Sequence, residues 1–169
     1  MRFILLDRIA ELRKGEAVFV KNITQSEDYF MDHFPGYPVV PGSIILGSFV
    51  QGGEILLAAG LDFSALPLLQ RVSRASFKRF VLPGDQLEIR LALDPSLPNR
   101  IKALARVEGK PAGDATLDFS LIRPDDNPKI AEACERLRLL YDGLVSASGV
   151  SRAWDLWERL SQIQGGSPE

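Results

Sequence analysis

Residues Ser43–Ala59 constrain the fold of this chain more than any other stretch. They read SIILGSFVQGGEILLAA, apolar nearly all round, with Gly60 as a stop signal. A helix without a polar face must be buried. Three glycines, Gly47, Gly52 and Gly53, lie inside it. Each costs roughly 1 kcal/mol relative to alanine in a helix interior, so their presence predicts that something packs very close to the helix backbone. This stretch does not read as one apolar membrane helix. The uncharged stretch from Phe34 to Gly53 holds three prolines, five glycines and Gln51.

What surrounds that helix reads as β-structure. Gln86–Leu93 alternates, with Leu87, Ile89, Leu91 and Leu93 opposite Gln86, Glu88 and Arg90. Ile101–Val107 and Ala115–Leu121 alternate in the same way, and Gly109 and Gly113 between them suggest a hairpin. Ala17–Ile23 reads as a strand before the helix. Val72–Phe80 is a weaker strand ending near the turn Pro83-Gly84-Asp85. Arg8–Leu12 reads as a helical turn before Gly15. This order predicts an α+β fold, an antiparallel sheet of at least five strands wrapped around one central helix.

Arg123-Pro124-Asp125-Asp126-Asn127-Pro128 reads as a linker. Beyond it, Ile130, Ala133, Cys134, Leu137, Leu140, Tyr141 and Leu144 form a helical stripe. A second short helix is expected from about Ser151 to Gln164, with Trp154, Trp157, Leu160 and Ile163 on one side. We therefore divide the chain into a main domain, 1–123, and a C-terminal helical extension, 124–169, with a disordered tail.

Composition excludes several classes. Of 169 residues, 46% are hydrophobic and 25% charged, and the formal net charge is −2. Disorder, a fibrous repeat and a coat for nucleic acid or anionic membrane are all poor fits to that balance. The single cysteine, Cys134, forms no internal disulfide. The apolar run Phe3–Leu6 is stopped by Asp7 and Arg8, short of a signal-peptide core, so a cytoplasmic location is expected.

The chemistry concentrates in His33-Phe34-Pro35-Gly36-Tyr37-Pro38-Val39-Val40-Pro41-Gly42. Prolines fix φ and glycines permit conformations that other residues resist, so this loop is rigid. His33 is the only histidine in the chain and hence the candidate for acid–base chemistry near neutral pH. Gly42 begins the helix, where a free backbone N–H points out along the positive end of the dipole.

This segment, followed by an apolar helix carrying Gln51, is similar to the signature of the FabZ-type (3R)-hydroxyacyl-[acyl carrier protein] dehydratases. Arg74-Ala75-Ser76-Phe77-Lys78-Arg79-Phe80-Val81-Leu82-Pro83-Gly84-Asp85-Gln86-Leu87 resembles that family's second characteristic segment, and Leu6-Asp7-Arg8-Ile9 its N-terminus. The resemblance runs from about Leu5 to Ile122. It implies a hotdog fold and a dimer or higher homo-oligomer with a sheet continued across subunits. It also implies a hydro-lyase of fatty acid or related acyl-chain synthesis with no cofactor or metal. His33 would be the base and the Gly42 N–H the oxyanion donor. Phe34, Gly36 and Gln51 would lie against the substrate, although Gln51 also suits satisfying a buried backbone group. Arg71, Arg74, Lys78 and Arg79 form a basic cluster, read either as a solvated strand face or as a dock for an acidic carrier protein.

One departure stands out. The family's acid lies fourteen positions after the histidine, and Gly47 occupies that place. Neighbouring groups replace it poorly. Ser48 is a weak acid, Asp32 adjoins His33 but points away, and Glu54 lies about 10 Å further along the helix axis. An ion pair or a solvent-facing position suits Glu54 better than catalysis. Three functions follow: a weakened dehydratase, a half-catalytic or non-catalytic carrier-binding subunit working as a heterodimer with a complete paralogue, and a hotdog thioesterase. None calls for nucleic acid.

Overall fold

The computed structural model describes residues 4–125 and 127–148. The central helix, α1 (Gly42–Ala59), lies against a sheet of six strands: β1 (Arg8–Arg13), β2 (Glu16–Asn22), β3 (Leu66–Phe77), β4 (Gln86–Leu93), β5 (Arg100–Val107) and β6 (Lys110–Ile122). The strand order is β1-β2-β4-β5-β6-β3, and every neighbouring pair is antiparallel. This is the expected α+β hotdog arrangement. A second helix, α2 (Pro128–Ser146), follows the sheet.

Alternation along the strands sets the core. Phe19, Leu87, Ile89, Leu91, Ile101, Ala105, Leu117 and Phe119 are buried, and Ile45, Phe49, Ile55 and Leu56 of α1 pack with them in one cluster. The glycines of α1 explain how close the layers come. A Cβ on Gly52 would stand 2.7 Å from Leu91 Cδ1 and 3.2 Å from Phe19 Cε2; one on Gly53 would stand 2.8 Å from Phe119 Cζ. The helix thus rests on the sheet by its backbone, as the interior glycines predict. Among the described residues α1 alone is long and apolar enough to cross a membrane, and most of it is buried here.

Arg8–Leu12 is not a helical turn; it is strand β1. Lys14-Gly15 turns the chain back into β2, with Gly15 at φ 77°. Pairing with β2, broken by a bulge at Ala10, satisfies the inward-facing backbone groups of this edge strand, and an isolated helical turn has no such partner. Two other strands begin earlier than their patterns suggest: β3 at Leu66 and β6 at Lys110. Bulges between Leu69 and Arg71 and between Val72 and Arg74 break the alternation of β3 and hide its length. The β5–β6 hairpin turns at Glu108-Gly109, both at positive φ.

The stripe on α2 buries Cys134, Leu137, Tyr141 and Leu144 as anticipated. Asn127 caps the helix by accepting from the Lys129 N–H at 3.1 Å, with proline in the first turn. The Tyr141 ring packs on Phe63 at 5.4 Å, and the Arg138 guanidinium lies 4.8 Å over the same ring. Ser148 Oγ accepts from the Ile9 N–H at 3.1 Å and stands 2.6 Å from the Ile9 carbonyl oxygen. The helix expected over 151–164, with Trp154 and Trp157, and the tail lie outside the described residues.

Candidate active site

The His33 loop is built by its own backbone. A 3-10 turn over Asp28–Met31 leads into it, and the His33 N–H donates to Tyr29 O at 3.1 Å. Phe34 and Tyr37 exchange both backbone bonds, at 3.2 and 3.0 Å, and the Val39 N–H donates to His33 O at 3.0 Å. Gly36 sits at φ 81° with nothing within 4 Å of its Cβ position, so conformation rather than space demands glycine there. The His33–Phe34 peptide is cis.

The ring of His33 is held by one hydrogen bond. Its Nδ1 lies 2.9 Å from the Val39 carbonyl oxygen. A carbonyl only accepts, so Nδ1 carries a proton, and in the neutral ring the lone pair is on Nε2. Phe34 packs beside the imidazole with ring centroids 4.3 Å apart. The chain therefore presents a half-buried imidazole, oriented from behind, whose Nε2 bonds no group among the described residues. Asp32, its sequence neighbour, is exposed.

Nine residues on, α1 opens behind Pro41 with no side-chain cap. The amides of Gly42 and Ser43 have no intrahelical acceptor. The Val40 N–H is bonded to Val81 O at 2.9 Å, which ties this entry to the segment after β3. Phe77, at the end of β3, brings its ring onto Gly42: a Cβ there would lie 2.8 Å from Cε2. Phe77 falls within the second resembling segment, yet nothing in its one-letter context distinguishes it from a core aromatic.

Gly47 faces away from the sheet, toward Leu5. A Cβ on Gly47 would stand 2.7 Å from Leu5 Cδ1. The backbone of Leu5 is strapped along α1 at this point. Its N–H donates to Gln51 Oε1 at 2.8 Å, and its carbonyl accepts from Ser48 Oγ at 3.1 Å. Buried Gln51 thus satisfies a backbone group, as one of its two readings supposes. Glu54 is half-buried on α1 and forms no ion pair among the described residues, contrary to the ion pair considered above. Desolvation pushes its carboxyl up to about 7.

The family model for ApeI-like proteins, described as ApeI dehydratase, matches residues 10–110. The 3-hydroxyacyl-[acyl-carrier-protein] dehydratase FabZ of Lactobacillus helveticus is 35% identical over 131 residues, covering 75% of this chain and 87% of that one. The FabZ of Bacillus pumilus is 40% identical over 124 residues, 70% of this chain and 85% of that one. The chain belongs to the FabZ and ApeI-like dehydratase family. Solved structures agree on the fold. The dehydratase heterocomplex ApeI:P from Xenorhabdus doucetiae aligns with TM-score 0.58 at 18% identity, over 70% of this chain and 98% of that one. A hot-dog-like protein from Thermanaerovibrio acidaminovorans aligns with TM-score 0.56 at 15% identity, over 74% and 93%.

Beside these FabZ-like features lies the basic cluster. Arg71 and Arg74 stand exposed on β3, Lys78 and Arg79 just beyond it. Lys78 pairs with Asp114 at 2.7 Å, Arg74 approaches the same carboxylate at 3.6 Å, and Arg79 Nη1 donates to Val107 O at 3.3 Å. The cluster is therefore partly neutralised by β6. Among the described residues, no group of three or more His, Cys, Asp or Glu could hold a metal ion.

Proposed function

We propose that this chain is a hydro-lyase acting on (3R)-hydroxyacyl thioesters carried by acyl carrier protein, and that it supplies the base and the oxyanion donor of the site. One observation carries the reading: the hydrogen bond from His33 Nδ1 to Val39 O, which leaves Nε2 free to take a proton. Nε2 removes the α-proton of the thioester. The Gly42 N–H, at the positive end of α1, stabilises the charge that moves onto the thioester oxygen. Phe34, Gly36 and Gln51 frame the acyl group, Gln51 by fixing the Leu5 strap on α1.

Expulsion of the β-hydroxyl as water then needs a proton. Gly47 has no side chain to give one, and Leu5 fills the space beside it. This favours a site completed by a second polypeptide that carries the carboxyl. The long edge of β3, exposed from Gln70 to Ala75 and paired on one side only, suits continuation of the sheet into a dimer. Arg71, Arg74, Lys78 and Arg79 would meet the acidic carrier, and the location would be cytoplasmic.

The test is turnover of purified protein with (3R)-hydroxyacyl- and trans-2-enoyl-carrier substrates, alone and mixed with a FabZ that has an acid at the position of Gly47. Dehydration that rises in the mixture supports the reading. Release of free carrier thiol without enoyl product would instead identify a thioesterase.

A further inference from the structure

We propose that Phe77 is a positioning residue: its ring is the wall against which the substrate thioester is held on the Gly42 amide. The proposal rests on the dehydratase reading and adds to it a group outside the His33 loop and α1. In a helix the Cα–Cβ bond tilts toward the N-terminus, the direction in which the first free N–H groups also point. The Phe77 ring stands where the Cβ of residue 42 would be, with Cε2, Cδ2 and Cζ at 2.8, 2.9 and 3.1 Å from it. The ring therefore sits against Gly42 at the N-terminal end of α1, where no described residue accepts from the first amide.

The ring is held in place from both sides. On β6, Gly113 pairs with Phe77, and a Cβ there would lie 3.3 Å from Phe77 Cδ1 and 2.9 Å from Ser76 O. Two glycines, Gly42 and Gly113, thus leave a slot that one aromatic ring occupies. The Lys78 N–H donates to Ala112 O at 2.8 Å, and the Val40 N–H to Val81 O at 2.9 Å, so the chain is anchored on either side of the slot.

Yet Phe77 is 46% exposed. The ring is fixed but half of its surface is open, near a backbone donor that no described residue accepts from. A thioester carbonyl that accepts from Gly42 must lie along this surface. The ring would exclude water from that hydrogen bond, which strengthens it, and would offer an apolar contact to the thioester sulfur.

The experiment uses a trans-2-butenoyl pantetheine thioester labelled with carbon-13 at the carbonyl. Binding constants and the carbonyl infrared band are measured on the full chain. Bound to the wild type, the band shifts to lower frequency. F77L keeps apolar bulk and the fold, as its melting temperature checks. It is expected to bind roughly tenfold more weakly, the scale of one aromatic contact, with the band returned toward its free position. F77Y keeps the ring and restores both. A folded F77L with wild-type affinity and a wild-type band overturns the role of Phe77 and leaves the dehydratase reading standing. A wild type that binds neither this thioester nor its carrier-linked form overturns that reading, and the role of Phe77 with it.

Discussion

Leu5 and Gly47 are complementary: the Cδ1 methyl of Leu5 stands 2.7 Å from where a side chain on residue 47 would begin. The methyl is the far end of a flexible side chain, whereas the Leu5 backbone is fixed by Gln51 and Ser48. Gly47→Glu should therefore fold, with Leu5 turning aside. Relief of the interior glycine favours the helix by up to about 1 kcal/mol, and crowding opposes it by about 1 to 3 kcal/mol. Dehydration by the purified variant should rise roughly 10²-fold or more, the usual worth of a general acid. A folded variant with unchanged turnover would count against a weakened enzyme and favour a binding subunit or a site whose acid comes from a different chain.

His33→Ala should lower dehydration by roughly 10²–10⁴-fold. Apart from the imidazole's bond to Val39 O, the loop around it is held by backbone bonds. Its melting temperature should stay near that of the wild type. Undiminished turnover would remove His33 from the reaction.

Glu54 gives a pH dependence of stability. Its carboxyl is raised from 4.5 to about 7 by desolvation, so the folded state holds a proton that the unfolded state releases. Stability from this group is present below pH 4.5 and falls as the pH rises through 7, by on the order of 3 kcal/mol in all. Glu54→Gln should flatten the profile over that window. The check is denaturant unfolding at a series of pH values, and a wild-type slope retained in the variant would contradict it.

Gly53→Ala tests the close approach of helix and sheet. The added methyl would stand 2.8 Å from Phe119 Cζ and 3.1 Å from Ile101 Cδ1, inside a packed core. The substitution should cost about 1 to 3 kcal/mol despite the better helix propensity of alanine. A rise in melting temperature would show that the layers can separate at little cost.

Much of the fold could be read from residue pattern. The alternation in Gln86–Leu93 matches β4 residue for residue, and the all-apolar run from Ser43 marks α1. β1 was not legible because its pattern is short and mixed, and only pairing with β2 makes it a strand. The His33 loop announced itself through prolines and glycines that fix its backbone. Phe77 did not, because its place depends on Gly42 and Gly113, which lie far from it in sequence and meet only in the fold. The Leu5 strap was hidden for the same reason: the bonds from Gln51 and Ser48 are long-range and leave no local signature.

The contact between Ser148 and Ile9 joins residues 139 apart. Strand β1 emerges early from the ribosome, yet Ser148, which bonds its Ile9, arrives only after α2 has ended. Until then a nascent chain carries Phe63 and the backbone of Ile9 without the residues that shield them. A stop codon after residue 123 would make that unfinished stage permanent, leaving a sheet and helix already assembled but with apolar surface open to self-association.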